Sequence, residues 1–376
     1  MMRFEKKYFD TIVVGAGQAG LATGYYLKAG GVDFAILEAS GSVGEVWDDR
    51  WDSLKLFTPA QYNSLPGFPF PAKRGTFPGK TEMSDYLKEY REKFDLPVYL
   101  KKKVIKVKSH ARYDFEVVTE SESIFCSNLV IATGANQKPS FPIFKAALSH
   151  SVFYLHSSQY KNPSSIPPGE VLVVGAGTSG VQIAIDLSKT HRVYLSGIPT
   201  FHIPDFIFDY LGRFYWWFIH TILTINTPMG RKAREGVLQG GAPLIKVSMK
   251  DVLAAGVKLL PRIVSVQGDQ FTFADESTRE FKTIVFTTGF KPDFSWIDLD
   301  LRYEHGWPNT RRGVSVNWPG LYFTGMLFQF GLTSALIGGA GRDAEYVCRQ
   351  ILLRVKSKSV ASPDESVLQK IIAAQK

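Results

Sequence analysis

Cysteine is nearly absent from this chain: Cys126 and Cys348 are the only two in 376 residues. That excludes a disulfide framework, a cysteine-based metal cluster and a CxxC dithiol centre. Long uncharged apolar runs are also missing. The most apolar stretch, Phe206–Ile225, is interrupted by Asp209, Arg213 and His220, which makes it a poor bilayer span. It reads either as an amphipathic helix on a membrane surface or, preferably, as a lid over a ligand cavity. Clustered basic charge is lacking as well. The net charge is +9, but the basic residues are scattered, with short runs such as Lys101–Lys103 and Arg311–Arg312, and no nucleic-acid motif accompanies them. Nucleic acid is therefore not an expected partner, and the charge reads as a solvated surface mildly favourable to anionic cofactors. Met1–Lys7 shows no secretory-signal pattern, so a cytoplasmic location is expected. Hydrophobic residues at 45% and charged residues at 21% describe a globular protein large enough for two domains.

Against these absences stand two copies of one device. Asp10-Thr-Ile-Val-Val runs into Gly15-Ala-Gly17-Gln18-Ala19-Gly20, and Glu170-Val-Leu-Val-Val into Gly175-Ala-Gly177-Thr178-Ser179-Gly180. Each is a β-branched strand, a GxGxxG turn and a helix-forming run. The first glycine permits the tight turn, the second lets the backbone approach a pyrophosphate, and the third lets the helix pack on the strand. The helix N-terminus then faces the phosphates. Two dinucleotides on one chain point to electron transfer between them.

The second strand of the first unit ends at Glu38-Ala39, where an acidic side chain takes the ribose hydroxyls. Asn128–Gly134 reads as a buried strand ending in an Ala132-Thr133-Gly134 turn, echoed by Thr287-Thr288-Gly289. Lys161–Gly169 has linker composition. Gly320–Gly325 reads as a strand returning to the first unit, completed by a helix beginning near Leu332-Thr333-Ser334. The expectation is an α/β chain with two Rossmann-like dinucleotide-binding domains, the second inserted into the first. Residues 1–163 and 286–376 would form the first dinucleotide-binding domain and residues 164–285 the second.

The chain resembles the bacterial flavin-containing monooxygenases, the class B flavoprotein monooxygenases, over nearly its whole length. The two glycine loops, the two Gly turns, Gly44-Glu-Val46-Trp47-Asp-Asp-Arg50 through Thr58-Pro59, and Thr324-Gly325 with Leu332–Arg342 carry the resemblance. The family fingerprint FxGxxxHxxx(F/Y) is matched in part by His150–Tyr160: His156 and Tyr160 are present, while His150 and Val152 replace the leading Phe and Gly. The resemblance implies FAD for the first domain and NAD(P)H for the second, with Gly15, Gly17, Gln18, Ala19, Gly20, Glu38 and Ala39 holding FAD. Gly44, Val46, Trp47, Arg50, Thr58, Pro59, Gly325, Leu332 and Thr333 would lie along it, with Val104 reaching the adenine. Gly175, Gly177, Thr178, Ser179 and Gly180 would hold the nicotinamide dinucleotide, with the Ala132–Gly134 and Thr288-Gly289 turns between. His156 is implied to be structural, and Tyr160 to lean the reaction towards nitrogen or sulfur.

Ser196-Gly197 stands where NADPH-preferring relatives carry an arginine for the 2′-phosphate, and no acidic residue replaces it. NADH is therefore expected to serve at least comparably to NADPH, unless Arg192 or His202 restores the contact. The implied reaction is hydride transfer to FAD, formation of a flavin hydroperoxide with O2, and oxygenation of a sulfur or nitrogen atom of a small molecule. The flavin does this chemistry, so no acid–base residue and no metal site is assigned. An NAD(P)H oxidase releasing hydrogen peroxide and a non-catalytic FAD-binding redox sensor remain as alternatives. A disulfide reductase lacks its cysteines. The protein is expected to act as a monomer or homodimer, with at most weak contact with a membrane surface.

Overall fold

The computed structural model describes residues 6–238 and 243–361. The expected domains also took in residues 1–5, 239–242 and 362–376, which lie outside the described residues.

The first glycine unit forms as its pattern requires. Strand β1 (Tyr8–Val14) leads into helix α1 (Gln18–Ala29), which returns to strand β2 (Phe34–Leu37). Both strands are parallel, with Val13 opposite Ile36. On its other side β1 pairs in parallel with Ser123–Ile131, Val13 opposite Val130, and that strand carries Leu321–Phe323 beyond it. Val13, Ile36 and Val130 are fully buried, which explains the continuous rather than alternating apolar pattern of these strands. Val104–His110, Asp114–Thr119 and the first half of Ser123–Ile131 form an antiparallel meander on the same ten-stranded sheet.

The second sheet has five strands. Strand β3 (Glu170–Val174), helix α2 (Thr178–Leu187) and strand β4 (Arg192–Ser196) form its core. The order is Lys258–Leu260, β4, β3, Thr283–Phe286, Phe153–His156, all parallel. This sheet begins earlier in the chain than the expected boundary at 163/164, and Phe286 closes its strand rather than opening the next segment. The Lys161–Gly169 stretch is therefore inside the second half. Its Pro and Ser residues make a 3₁₀ turn at Pro163–Ser165, not the crossing between halves. The chain crosses over before Phe153 and again after Phe286. The two crossings are stitched together by antiparallel pairing of Lys138–Pro139 with Phe290–Lys291.

Helix α3 (Asp205–Thr221) is amphipathic in an unusual sense, because both faces carry aromatics. Trp216 and Ile219 are buried, and the Trp216 ring meets that of Tyr62 at 5.2 Å. Phe206, Tyr210, Phe214 and Trp217 remain exposed. Helix α4 (Pro228–Leu238) follows. Among the described residues no helix is long and apolar enough to cross a membrane.

The last helix, α5 (Ile337–Ala361), packs on α1, where Gly30 abuts Leu352 and the Cys348 thiol reaches the Thr23 carbonyl at 3.5 Å. Leu21, Leu27, Val347 and Ile351 are fully buried in this region. Burying each such side chain contributes about 1.5–3 kcal/mol. The helix starts at Ile337, later than the expected Leu332–Ser334. Ser334 instead folds back, its hydroxyl oxygen accepting the Phe330 and Gly331 amides at 3.0 Å each, which makes a turn of that segment.

Candidate functional site

Each glycine of the first loop has a separate physical role. Gly15 has φ +105°, and a Cβ there would lie 2.7 Å from the Ala132 carbonyl oxygen. A Cβ on Gly20 would lie 1.8 Å from the Gly15 carbonyl, so helix and strand touch there. A Cβ on Gly17 would meet nothing within 4 Å. Gly17 therefore borders open space at the N-terminus of α1, where the amides of Gln18, Ala19 and Gly20 have no acceptor within the helix. Glu38 reaches this space from the end of β2. Its carboxylate accepts the amides of Ala16 at 2.7 Å and Ser40 at 2.9 Å. Gly325 (φ +78°) closes against Ala19, and a Cβ on Gly325 would lie 2.8 Å from the Ala19 Cβ. Val104 lies near the Glu38 end, since the Lys102 amide two residues before it donates to the Glu38 carbonyl. Ala39 and Val46 are exposed.

The second loop repeats this geometry. Gly175 has φ +113°, and a Cβ there would lie 2.6 Å from the Thr287 carbonyl oxygen; a Cβ on Gly180 would lie 1.9 Å from the Gly175 carbonyl oxygen, and one on Gly177, before Thr178 and Ser179, would meet nothing within 4 Å. What differs is the end of β4. Ser196 is buried and its hydroxyl donates to the Pro261 carbonyl at 2.7 Å, leaving only Gly197 beside the loop. Arg192 does not compensate. It begins β4, opposite Glu170, and its guanidinium is paired there with Glu170, which Arg279 also holds at 2.8 Å. His202 keeps a buried Nε2 without a partner.

The turns at Ala132–Gly134 and Thr287–Gly289 come together at the crossings. Gln137 donates to Thr133 Oγ1 and the Gly134 carbonyl, both at 2.9 Å, and Thr288 donates to the Ser140 carbonyl. His156 pins this region. Its Nδ1 accepts the Ser158 amide at 3.2 Å, so the ring proton sits on Nε2 and goes to the Gly289 carbonyl at 3.0 Å. Burial, helped by the Arg50 charge, pushes its pKa down, so the ring is neutral. Tyr160 is fully buried and donates to Asp186 of α2 at 2.9 Å. Both fingerprint residues are fully buried and hydrogen-bonded to the surrounding fold.

The segment after Gly44 (φ +84°, backed by Ser84) covers the first unit. The indole nitrogens of Trp47 and Trp51 are buried with no partner, and Arg50 lies over the Phe290 ring at 5.6 Å. Asn63 is fully buried and holds the Thr58 and Pro59 carbonyls at 2.9 and 3.3 Å, while the Thr58 hydroxyl bonds its side-chain oxygen. Thr58 and Thr333 then border a cavity of about 510 Å³, roofed by Arg213, Trp216, Trp217 and His220 of α3 and walled by Tyr62 and Arg74. Leu332 precedes Thr333 on the same turn. Sequence reasoning passed over Tyr62 and Arg74 and treated His220 only as an interruption. A signal was available: 213, 216, 217 and 220 are spaced i, i+3, i+4, i+7 and so share one helix face.

The family described as pyridine nucleotide-disulphide oxidoreductase matches residues 12–197. An uncharacterized CzcO-like oxidoreductase of Geobacillus kaustophilus (strain HTA426) is 39% identical over 345 residues, covering 91% of this chain and 98% of that one. The solved flavin-containing monooxygenase from Stenotrophomonas maltophilia superposes with a TM-score of 0.75 at 27% identity, covering 93% and 100% of the two chains. The probable indole-3-pyruvate monooxygenase YUCCA3 of Arabidopsis thaliana is 27% identical over 393 residues, 93% of this chain and 87% of that one. The chain belongs to the flavin-containing monooxygenases. It is an FAD-dependent enzyme that uses a nicotinamide dinucleotide. The residues fit both groups: Gly17 and Gly177 each leave a cradle that a Cβ would fill, and the Trp47 and Trp51 indole N–H groups are buried without a partner. Disulfide chemistry has no place here, because Cys126 and Cys348 are free, buried and on different elements.

Proposed function

We propose that this enzyme oxygenates the sulfur of a small neutral molecule. The observation that carries the reading is the cavity beside Thr58 and Thr333. Tyr62, Trp216 and Trp217 give it aromatic surface beside the uncharged polar groups of Thr58, Gln61, Ser64 and Thr333, no carboxylate lines it, and Arg74 and Arg213 have no ion-pair partner among the described residues. A protonated amine is disfavoured there by charge, which narrows the expected sulfur-or-nitrogen choice to sulfur. The overall stoichiometry is substrate, O2, NAD(P)H and a proton giving oxygenated substrate, water and NAD(P)⁺. FAD, when bound, would supply the two-electron chemistry that couples NAD(P)H oxidation to O2, so that one oxygen atom ends on the sulfur and the other in water.

The chain's own groups bind, orient and shield. The amides of Gln18, Ala19 and Gly20 at the α1 N-terminus hold the FAD pyrophosphate and Glu38 its ribose. Trp47 and Trp51 supply N–H donors to the same cofactor, and Thr58, Pro59, Gly325, Leu332 and Thr333 flank its reactive end. Thr178 and Ser179 hold the nicotinamide dinucleotide. With no charged group after β4 to read a 2′-phosphate, NADH and NADPH serve with similar efficiency. Helix α3 excludes water from the cavity.

The same rim supports a second reading. Two unpaired arginines over aromatic walls suit an aromatic 2-oxo acid, and relatives named indole-3-pyruvate monooxygenase act on such a compound.

Holoenzyme supplied with O2, NADH or NADPH, and either methyl phenyl sulfide or an aromatic 2-oxo acid separates these readings. Sulfoxide formed in step with NAD(P)H consumed supports the first. Product from the oxo acid alone supports the second. Hydrogen peroxide stoichiometric with NAD(P)H whatever is offered refutes both and makes the protein an oxidase.

A further inference from the structure

His220 is the one imidazole of the cavity, and its hydrogen bonds define its proton. Its Nδ1 lies 3.0 Å from the Thr333 hydroxyl oxygen. That oxygen also accepts from Arg342 Nη2 at 3.2 Å, and a guanidinium can only donate. If His220 Nδ1 carried the proton, Thr333 would accept twice and its own proton would have no acceptor among the described residues. The arrangement closes only one way: Arg342 donates to Thr333, and Thr333 donates to Nδ1. The ring proton is then on Nε2, which has no partner among the described residues while the ring lines the cavity.

Each link is held from behind. A second Arg342 nitrogen donates to the His220 carbonyl, tying the end of α3 to α5. The guanidinium also lies over the Phe330 ring at 4.6 Å and faces Asp343 at 3.9 Å. Burial, and then the Arg342 charge, lower the His220 pKa, so the ring stays neutral with a single donor. A donor N–H on a ring that lines the cavity, with its tautomer set through Nδ1, is an arrangement for holding an acceptor.

We propose that His220 is a substrate-contacting residue whose Nε2–H, preset by Thr333 and Arg342, binds the oxygen newly carried by sulfur in the product. This rests on the sulfur-oxygenation reading for the identity of the acceptor. It gives the enzyme a polar handle that the sulfide lacks and the sulfoxide has, so the cavity is matched to the state that follows oxygen transfer.

The test is binding without turnover. Holoenzyme, with no NAD(P)H, is titrated with methyl phenyl sulfide and with methyl phenyl sulfoxide, followed by tryptophan fluorescence (Trp216 and Trp217 line the cavity) and flavin absorbance. Wild type should bind the sulfoxide about three- to tenfold more tightly, the range of one net hydrogen bond. His220→Leu should lose the difference, and His220→Gln, whose amide N–H reaches a similar point, should retain most of it. In parallel, ¹⁵N spectra of histidine-labelled holoenzyme, assigned with His220→Gln, should show Nε2 protonated and Nδ1 bare. Equal or undetectable binding of the two compounds by wild type, an unchanged preference in His220→Leu, or a protonated Nδ1 each overturns the proposal. Sulfoxide preference without sulfide turnover would leave His220 in place and remove the sulfur-oxygenation reading. Turnover with equal binding would do the reverse.

Discussion

Gly17→Val should separate folding from flavin binding. Gly17 sits at φ −74°, ψ −174°, an extended conformation open to any residue, and a Cβ there meets nothing within 4 Å. The fold therefore has no steric reason to resist the substitution. The poorer helix cap costs about 1 kcal/mol, and the stiffer unfolded chain returns about 0.4–1 kcal/mol. The net change in apoprotein stability should stay within about 1 kcal/mol, a shift of a few degrees at most. The flavin has no such freedom, because the isopropyl group fills the space the pyrophosphate needs. Losing two charge-assisted amide bonds at about 1.5–3 kcal/mol each removes about 3–6 kcal/mol. At about 1.4 kcal/mol per decade that is roughly a hundred- to ten-thousandfold loss of affinity. The assay is the flavin-to-protein absorbance ratio after dialysis, with thermal unfolding of flavin-stripped wild type and variant compared, so that stabilisation by bound ligand does not enter. Gly20→Val is the control: its Cβ would sit 1.8 Å from the Gly15 carbonyl, so it should fail to fold. A Gly17→Val protein with full flavin, or one as unfolded as Gly20→Val, would refute the assignment of these glycines.

Gly177→Val should keep its flavin yet lose fast reduction by either nicotinamide cofactor, read by anaerobic stopped-flow; bleaching at the wild-type rate would count against the second cradle. Tyr160→Phe removes a bond to the Asp186 carboxylate and should destabilise by about 1.5–3 kcal/mol in urea titrations, without altering the product profile. A changed product would mean Tyr160 reaches substrate. Stability should also fall on acidification. His156 and His220 both have folded pKa values lowered by burial from 6.5, so the unfolded chain binds more protons. Their contribution is full above about pH 6.5 and is lost as the pH falls below it towards the folded values. His156→Asn should flatten part of that slope, and an unchanged slope would show the histidine is not neutral in the fold.

The glycine loops were legible because the whole strand, GxGxxG turn and helix start lie within one short stretch of chain, and Glu38 follows at the end of the next strand. Features that depend on distant partners were not. The strand Phe153–His156 lies in the second sheet because it pairs with Thr283–Phe286, and nothing local to residues 153–156 encodes that edge. Arg192 looked available for a phosphate until its place at the far end of β4, beside Glu170, was known. Leu332–Ser334 has helix-forming character, yet the Ser334 hydroxyl diverts it into a turn and the helix waits for Ile337. His220 gains its meaning from Thr333 and Arg342, which are brought to it only by the packing of α3 on the start of α5.

An enzyme that activates oxygen has to survive its own leakage. Both native thiols are sealed: Cys126 is within the central sheet and Cys348 within α5, each buried and pushed by burial well above the usual thiol range. Neither presents a thiolate for peroxide to attack. Met83 and Met326 are similarly enclosed, whereas Met229, at the start of α4, is 55% exposed. Among the described methionines, oxidative wear should thus register first as a sulfoxide on Met229, visible by peptide mass spectrometry, and it would spare the core. The same sealed thiols let a single cysteine introduced on the outer face of α3 be labelled alone, with both native cysteines left in place.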